Sequence, residues 1–308
     1  MNLQQLEYIV SLGQHRHFGK AAEHCSITQP TLSTMLQKLE DELGVKIFDR
    51  SRQAIQPTPV GHKILAQAAV ILRQVEIMRE IITNESNALS GHLTIGVLPT
   101  IAPYLLPRLI PILERKLSKL SITFVELITS ACLEHLRSDE IDVALIASLS
   151  EAEDLIDAPL YYEEFIAYIS EREPLYEQQV LRSSEVDPTH LWLLDEGHCF
   201  RNQLLKFCAL RGNKPRRLDY NRGSLETFMH MVERGSGITF IPELCMLSLD
   251  QSRRRFARPF TIPRPARQIN LCTRADFVRM KLKEVLMECI LEAVPEEMHQ
   301  LRVGQTLV

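Results

Sequence analysis

Residues 63–88 contain neither glycine nor proline, and their apolar side chains fall on one helical stripe. Ile64, Ala68, Ile71, Val75, Met78 and Ile82 recur at spacings of 4, 3, 4, 3 and 4. That is the a/d pattern of a helix that packs along its whole length. Pro59 suits a first helical position, so the spacing predicts one helix over 59–87. A helix this long divides the chain into a small head, 1–58, the helix itself, 59–88, and a body, 89–308. The stripe can lie against its own chain or against a second copy of itself. The second copy is the better partner, because the stripe lies outside both flanking domains.

The head reads as three helices and a hairpin. Leu3, Leu6, Ile9 and Val10 give one helical face, and Phe18, Ala21, Ala22 and Cys25 a second, shorter one. Ser26 or Thr28 can cap a third helix over 30–43, with Leu32, Leu36, Leu39 and Leu43 inward and Gly44 at its end. Val45–Phe48 and Ile55–Thr58 read as short strands around Asp49-Arg50-Ser51-Arg52. Two helices followed by a capped third with a polar outer face is the helix-turn-helix plan. That face offers Gln29, Thr31, Ser33, Thr34, Gln37 and Lys38. Amide and hydroxyl groups can read base edges, while Lys38 and the wing arginines suit phosphates. Glu40, Asp41 and Glu42 cancel much of the local positive charge, and the whole chain carries −4, so charge alone does not point to nucleic acid.

The body alternates strands and helices. Strands are expected at His92–Leu98, Ser121–Leu127 and Asp142–Ile146, with helices at Leu105–Leu117 and Ser130–Ser138 between them. A second lobe begins near Glu164–Ser170 and holds Leu191–Leu194, a helix from Cys199, the helix Leu225–Glu233 and the strand Gly237–Ile241. Asn270–Arg274 returns as a strand to the first lobe, and Val278–Leu291 closes the domain. The tail after Val294 is polar with little pattern. This order implies an α/β fold with a mostly parallel sheet. Such sheets bind ligands beyond the carboxyl ends of their strands. Thr100, Thr129 and the pair His198-Cys199 follow three of those ends, although either threonine is equally well read as a helix cap. Gly235-Ser236-Gly237 precedes a strand where a phosphate loop needs a helix, and is discarded.

Cys199 is expected in the first turn of its helix, since Phe200, Leu204, Phe207 and Leu210 recur at 4, 3 and 3. Backbone N–H groups there favour an anion such as a thiolate, with Arg201 adding positive charge and His198 a proton acceptor. Cys208 lies nine residues on. In an intact helix that is a rise of about 13.5 Å, with the thiols on opposite faces. A disulfide needs Cα atoms within roughly 7 Å, so the two can join only if the helix comes apart. On chemistry alone they are either a reactive pair or two unrelated cysteines, one packed in a core and one incidental.

The seven cysteines form no CxxC pair, which argues against a zinc site or a disulfide scaffold. No cofactor and no metal are expected. Neither a signal-like start nor a run of about 18 apolar residues occurs, so the expectation is a cytoplasmic protein without a membrane partner.

The stretch AAEHCSITQPTLSTMLQKLEDELGVKIFDR resembles the winged helix-turn-helix of LysR-type transcriptional regulators. The resemblance implies an N-terminal winged helix-turn-helix, a dimerising linker helix, and a two-lobed, periplasmic-binding-protein-like α/β effector domain. It further implies a regulator and not an enzyme, acting on double-stranded promoter DNA and RNA polymerase as a homodimer or homotetramer. Gln29, Thr31, Ser33, Gln37, Lys38, Arg50 and Arg52 would meet the DNA. HRHFGKAAEHC, VLPTIAPYLLP and above all DEGHC with Cys208 following resemble the peroxide-sensing members of that family, which act mainly as activators of oxidative-stress genes. On that resemblance Cys199 is the peroxidatic cysteine and Cys208 the resolving one. Thr100, Thr129 and His198 line the pocket for hydrogen peroxide, with Arg201 and Arg267 as charged neighbours. Asn202 stands where such proteins commonly carry aspartate, which puts a proton relay through that position in doubt.

Three other readings compete: a LysR-type regulator of a small organic effector with inert cysteines, a thiol peroxidase, and a solute-binding protein. Peroxide reactivity of Cys199 separates the first, and sequence-specific DNA binding separates the others.

Overall fold

The computed structural model describes residues 1–49, 55–87, 89–147, 154–194, 199–208, 220 and 223–308. The chain forms two compact units, Met1–Asn87 and Ala88–Val308.

The first unit holds α1 (Leu3–His15), α2 (Phe18–His24), α3 (Gln29–Leu43), the wing strands β1 (Phe48–Asp49) and β2 (Gln56–Pro57), and α4 (Pro59–Asn87). Asn2 and Gln5 close a capping box on α1. Thr28, not Ser26, caps α3 by accepting from Thr31 N, and Gly44 ends it at φ 69°, where a side chain would be strained. Leu32, Leu36 and Leu39 bury one stripe of α3 against Leu6, Ile9, Leu12 and Ala21. Truncating any of these leucines to alanine costs about 2–5 kcal/mol. The wing is shorter than expected, with β1 and β2 antiparallel and Phe48 opposite Pro57. Its entry is pinned by Glu40, whose buried Oε1 accepts Ile47 N at 2.8 Å and Phe48 N at 3.2 Å. Glu40 therefore does not act as a surface charge against DNA, contrary to the sequence reading.

The expected seam of α4 divides. Ile64, Ala68 and Ile71, with Leu65 and Leu72, pack into the head's own core, so that half of the stripe lies on its own chain. Further along, Val75 is half-buried and Met78 exposed. Ile82 falls outside the described side chains.

The second unit contains β3 (Gly91–Val97), α5 (Ala102–Lys116), β4 (Leu120–Glu126), α6 (Thr129–Arg137), β5 (Val143–Ile146), β6 (Leu155–Ile169), α7 (Cys199–Phe207), α8 (Leu225–Arg234), β7 (Ile238–Pro242), α9 (Glu243–Ser248), α10 (Gln251–Arg254), β8 (Ala257–Arg258), β9 (Arg264–Arg274), α11 (Met280–Ala293) and β10 (Gln305–Leu307). The sheet order is β4-β3-β5-β9-β6-β7, with β10 on β9 and β8 on β6. In the first lobe β3 pairs in parallel with both β4 and β5. The pairs β5–β9, β6–β9, β6–β7 and β6–β8 are antiparallel, so the sheet is mixed and not mostly parallel.

The difference comes from two strands that cross between lobes. β6 begins at Leu155, nine residues before the expected strand, and β9 begins at Arg264, six before. Their register runs from Leu155–Arg274 to Glu164–Ala266, with an irregularity between Pro159 and Tyr161. Beyond it, Phe165–Ile169 continue into the second lobe and pair with β7. Leu191–Leu194 is not a strand: Leu191 makes one isolated bridge to Ile238. The tail is not patternless, because Gln305–Leu307 pair in parallel with Arg264–Ala266. No described helix is long and apolar enough to cross a membrane.

Candidate functional site

The carboxyl ends of β3, β4 and β5 lie side by side, since Val97 is paired with both Glu126 and Leu145. The segments that leave them carry Thr100, Thr129 and Ala147. Thr100 is buried just before α5 and is held by Arg267, whose Nη1 donates to its Oγ1 at 2.9 Å and Nη2 to its carbonyl at 3.0 Å. It caps no helix, as the position before α5 is Ile101. Thr129 does not cap either. The helix begins one residue earlier than expected, with Ile128 at the cap and Thr129 as its first residue. Its Oγ1 is buried and has no hydrogen-bond partner among the described residues.

Arg267 is the hub. It sits on β9 opposite Glu163 of β6, and both side chains are almost wholly buried, at 1% and 2%. The guanidinium lies 2.7 Å from Glu163 Oε1. Burial pushes the Glu163 carboxyl up, opposed by Arg267. Glu163 Oε2 also accepts Leu244 N at 3.3 Å. The other face of Arg267 stacks on Phe200, 5.0 Å from the ring centroid. Phe200 directly follows Cys199, so one buried cation joins the Thr100 loop, the crossing strands and the cysteine helix.

Cys199 opens α7 and is half-buried. Cys208 follows the helix, with its amide donating to Leu204 O at 2.9 Å. Both are free thiols on opposite ends of an unbroken helix. Burial pushes the Cys208 thiol up to about 12. The helix docks through Phe200, Leu204 and Cys208, all buried. Phe200 packs on Phe165 at 4.8 Å between centroids, and Phe207 on Phe260 at 5.5 Å. Gln203, one turn from Cys199, donates from Nε2 to Ala147 O at 2.9 Å and so ties the helix to the end of β5. Arg201 is buried and Asn202 exposed. His198 lies outside the described residues, as do residues 209–219, including the expected end of the helix at Leu210.

Sequence reading missed Glu163, Phe200 and Gln203 as parts of this site. Phe200 and Gln203 carried a signal, being one and four residues from Cys199. Glu163 carried none, because its role depends on which strand faces it.

In the first unit, the expected DNA-facing residues lie on α3. Gln29, Thr31 and Lys38 are exposed, and Ser33 and Gln37 are half-exposed. Thr31 Oγ1 is 2.8 Å from Thr28 Oγ1. Gln37 donates to Asp41 and accepts from Lys46. Arg50 and Arg52 lie outside the described residues.

A winged helix-turn-helix head and a two-lobed α/β body with buried polar groups beyond its strand ends define a DNA-binding regulator with a separate effector domain. Residues 3–62 match the model of bacterial regulatory helix-turn-helix proteins of the lysR family, and residues 86–295 match the LysR substrate binding domain. The chain belongs to the LysR family of transcriptional regulators. It is 36% identical over 274 residues to the hydrogen peroxide-inducible genes activator of Haemophilus influenzae, covering 89% of this chain and 91% of that one. A full-length, singly substituted variant (C199D) of OxyR from Pseudomonas aeruginosa superposes with a TM-score of 0.77 at 38% identity, covering 94% of both chains. OxyR from Porphyromonas gingivalis is 53% identical, with a TM-score of 0.67, over 71% of this chain and 99% of that one.

Proposed function

We propose that this chain is a hydrogen-peroxide-sensing transcriptional activator that switches by a reversible bond between Cys199 and Cys208. The observation that carries it is the position of Cys199. It heads an intact helix whose next residue, Phe200, stacks on the same arginine that holds Thr100. The likeness to peroxide-inducible activators supports the reading.

The Cys199 thiolate attacks one peroxide oxygen. The O–O bond breaks, a sulfenic acid forms, and the leaving hydroxide takes a proton and departs as water. Thr100 and Thr129 line the pocket, Arg201 and Arg267 supply positive charge, and His198 supplies a proton acceptor. Cys208, as thiolate, then attacks the Cys199 sulfur and expels its hydroxyl as water. The bond cannot close while the helix stands, with the cysteines about 13.5 Å apart along its axis. Melting it releases Phe200, Leu204 and Phe207 from their packing, which costs several kcal/mol, about 1.5–3 for each fully buried apolar side chain. The disulfide and a repacked surface offset that cost, which makes the pair a two-state switch.

Gln29, Thr31, Ser33 and Gln37 read bases in promoter DNA, while Lys38, Arg50 and Arg52 hold phosphates. The protein works in the cytoplasm as a homodimer, or a homotetramer when effector domains also pair. Its oxidised form contacts RNA polymerase.

The test is a thiol count before and after one equivalent of peroxide, with the modified residues mapped. Two thiols should be lost, both in one peptide pair, Cys199 and Cys208. Cys208→Ser should retain a sulfenic acid at Cys199, and Cys199→Ser should lose both products. Modification elsewhere with Cys199 untouched would overturn the redox reading and leave a regulator of some other effector.

A further inference from the structure

Asp41 places a carboxylate on the same helix that carries the candidate base-reading residues, where DNA phosphates would repel it. Its contacts give it a purpose. Gln37 Nε2 donates to Asp41 Oδ1 at 2.6 Å, one turn along α3. On the other atom of the same amide, Lys46 Nζ donates to Gln37 Oε1 at 3.4 Å. Lys46 is itself anchored, 3.1 Å from Oε2 of the buried Glu40. Gln37, Lys46, Phe48, Asp49 and Thr58 line an open hollow of about 380 Å³ between α3 and the wing, so the amide faces space.

A glutamine amide can be turned over, exchanging its donor and acceptor ends, and its side chain loses considerable rotamer freedom when ordered. A carboxylate can only accept and an ammonium can only donate. Bracketing the amide between the two permits one orientation and rejects the other. Among the described residues nothing takes the second Nε2 hydrogen or the second Oε1 lone pair, and their order is fixed. Donor beside acceptor matches N7 and N6 of adenine in the major groove. We infer that Asp41 and Lys46 are positioning residues that orient Gln37 to read an adenine in the half-site. The inference rests on the reading of residues 1–58 as the DNA-binding head.

The full-length chain, its Asp41→Ala, Asp41→Asn, Lys46→Met and Gln37→Ala variants are each selected against a randomised duplex pool, and the bound DNA is sequenced. The natural chain should show one adenine column, preferred by about tenfold or more over other bases. Gln37→Ala should erase that column alone. Asp41→Ala and Lys46→Met should shrink its preference below about threefold while the other columns stand. Asp41→Asn keeps an acceptor oxygen and should keep the column, with raised affinity for all DNA. A merely helix-stabilising role for Asp41 would change overall affinity without touching one column. Asp41→Ala with an unaltered motif, or indistinguishable from Asp41→Asn, overturns the positioning role alone. A natural chain that selects no motif overturns the DNA-reading assignment beneath it. Asp41 is exposed, so its variants fold; Lys46→Met also unpairs the buried Glu40, so its fold is checked by circular dichroism before selection.

Discussion

Arg267 donates to both the hydroxyl and the carbonyl of Thr100 while it is itself buried to 1% exposure. The loop after the first body strand is thus tied to the ladder formed by β6 and β9, because Arg267 faces Glu163 across it. A buried ion pair contributes little net stability, but breaking one strands the surviving charge.

Arg267→Met should therefore destabilise the body by about 3–5 kcal/mol in urea unfolding. Glu163→Gln added to it should recover much of the loss, since no carboxylate then remains buried without its cation. An Arg267→Met variant within about 1 kcal/mol of the natural chain, on the scale of an exposed pair, would show that the buried Arg267–Glu163 pair carries no such weight.

The proposed Cys199–Cys208 switch requires α7 to open. Amide exchange at Leu204 and Cys208 should be slow in the reduced protein, where the Cys208 amide bonds Leu204 O at 2.9 Å. On oxidation both amides should lose that protection, and Cys208→Ser should keep it after the same treatment. Equal protection in a sample shown to hold the disulfide would discard the helix-melting step.

Alkaline pH should weaken the body through its buried thiols. Burial pushes Cys132, Cys208 and Cys245 each up to about 12, from an ordinary 9.0. In the unfolded chain these thiols ionise near 9, while the folded state holds their protons. The unfolded state gains, so stability is complete below about 9 and is lost as pH rises from there towards about 12. Thermal midpoints should stay level with respect to these groups up to about 8.5 and fall above 9, and Cys208→Ser should soften the fall. Below about 11, iodoacetamide should leave folded Cys208 unlabelled and label it in denaturant.

Pairing through α4 should depend on its later half. Val75→Asp with Met78→Asp should halve the mass seen in light scattering and leave the head folded. Ile71→Asp strikes the head's own core and should unfold it instead. An unchanged mass in the first variant would remove the pairing role from that surface.

Local patterns gave α3 to within one residue at each end, because its cap, leucine stripe and terminal glycine are all written within 17 positions, 28–44. Cys199 at a helix start was legible for the same reason. Long-range pairing was not. β6 and β9 face each other across more than a hundred residues, so neither their length nor the Glu163–Arg267 pair could be read from either segment alone. Leu191–Leu194 had the apolar composition of a strand, yet most of its backbone finds no ladder. Glu40 resembled its acidic neighbours in sequence, and only the wing's return onto α3 buries it.

The two crossing strands set the mechanical character of the body. β6, with 15 residues, would span roughly 50 Å if straight, and much of it is zipped to β9 by backbone hydrogen bonds. Bending that girder would tear several backbone bonds at once, which opposes a jaw-like closure of the lobes. A molecule of two oxygens is too small to pull jaws together in any case. In the proposed switch, information leaving Cys199 would travel as a change of surface relief: one helix removed from its frame, felt by whatever rests against it.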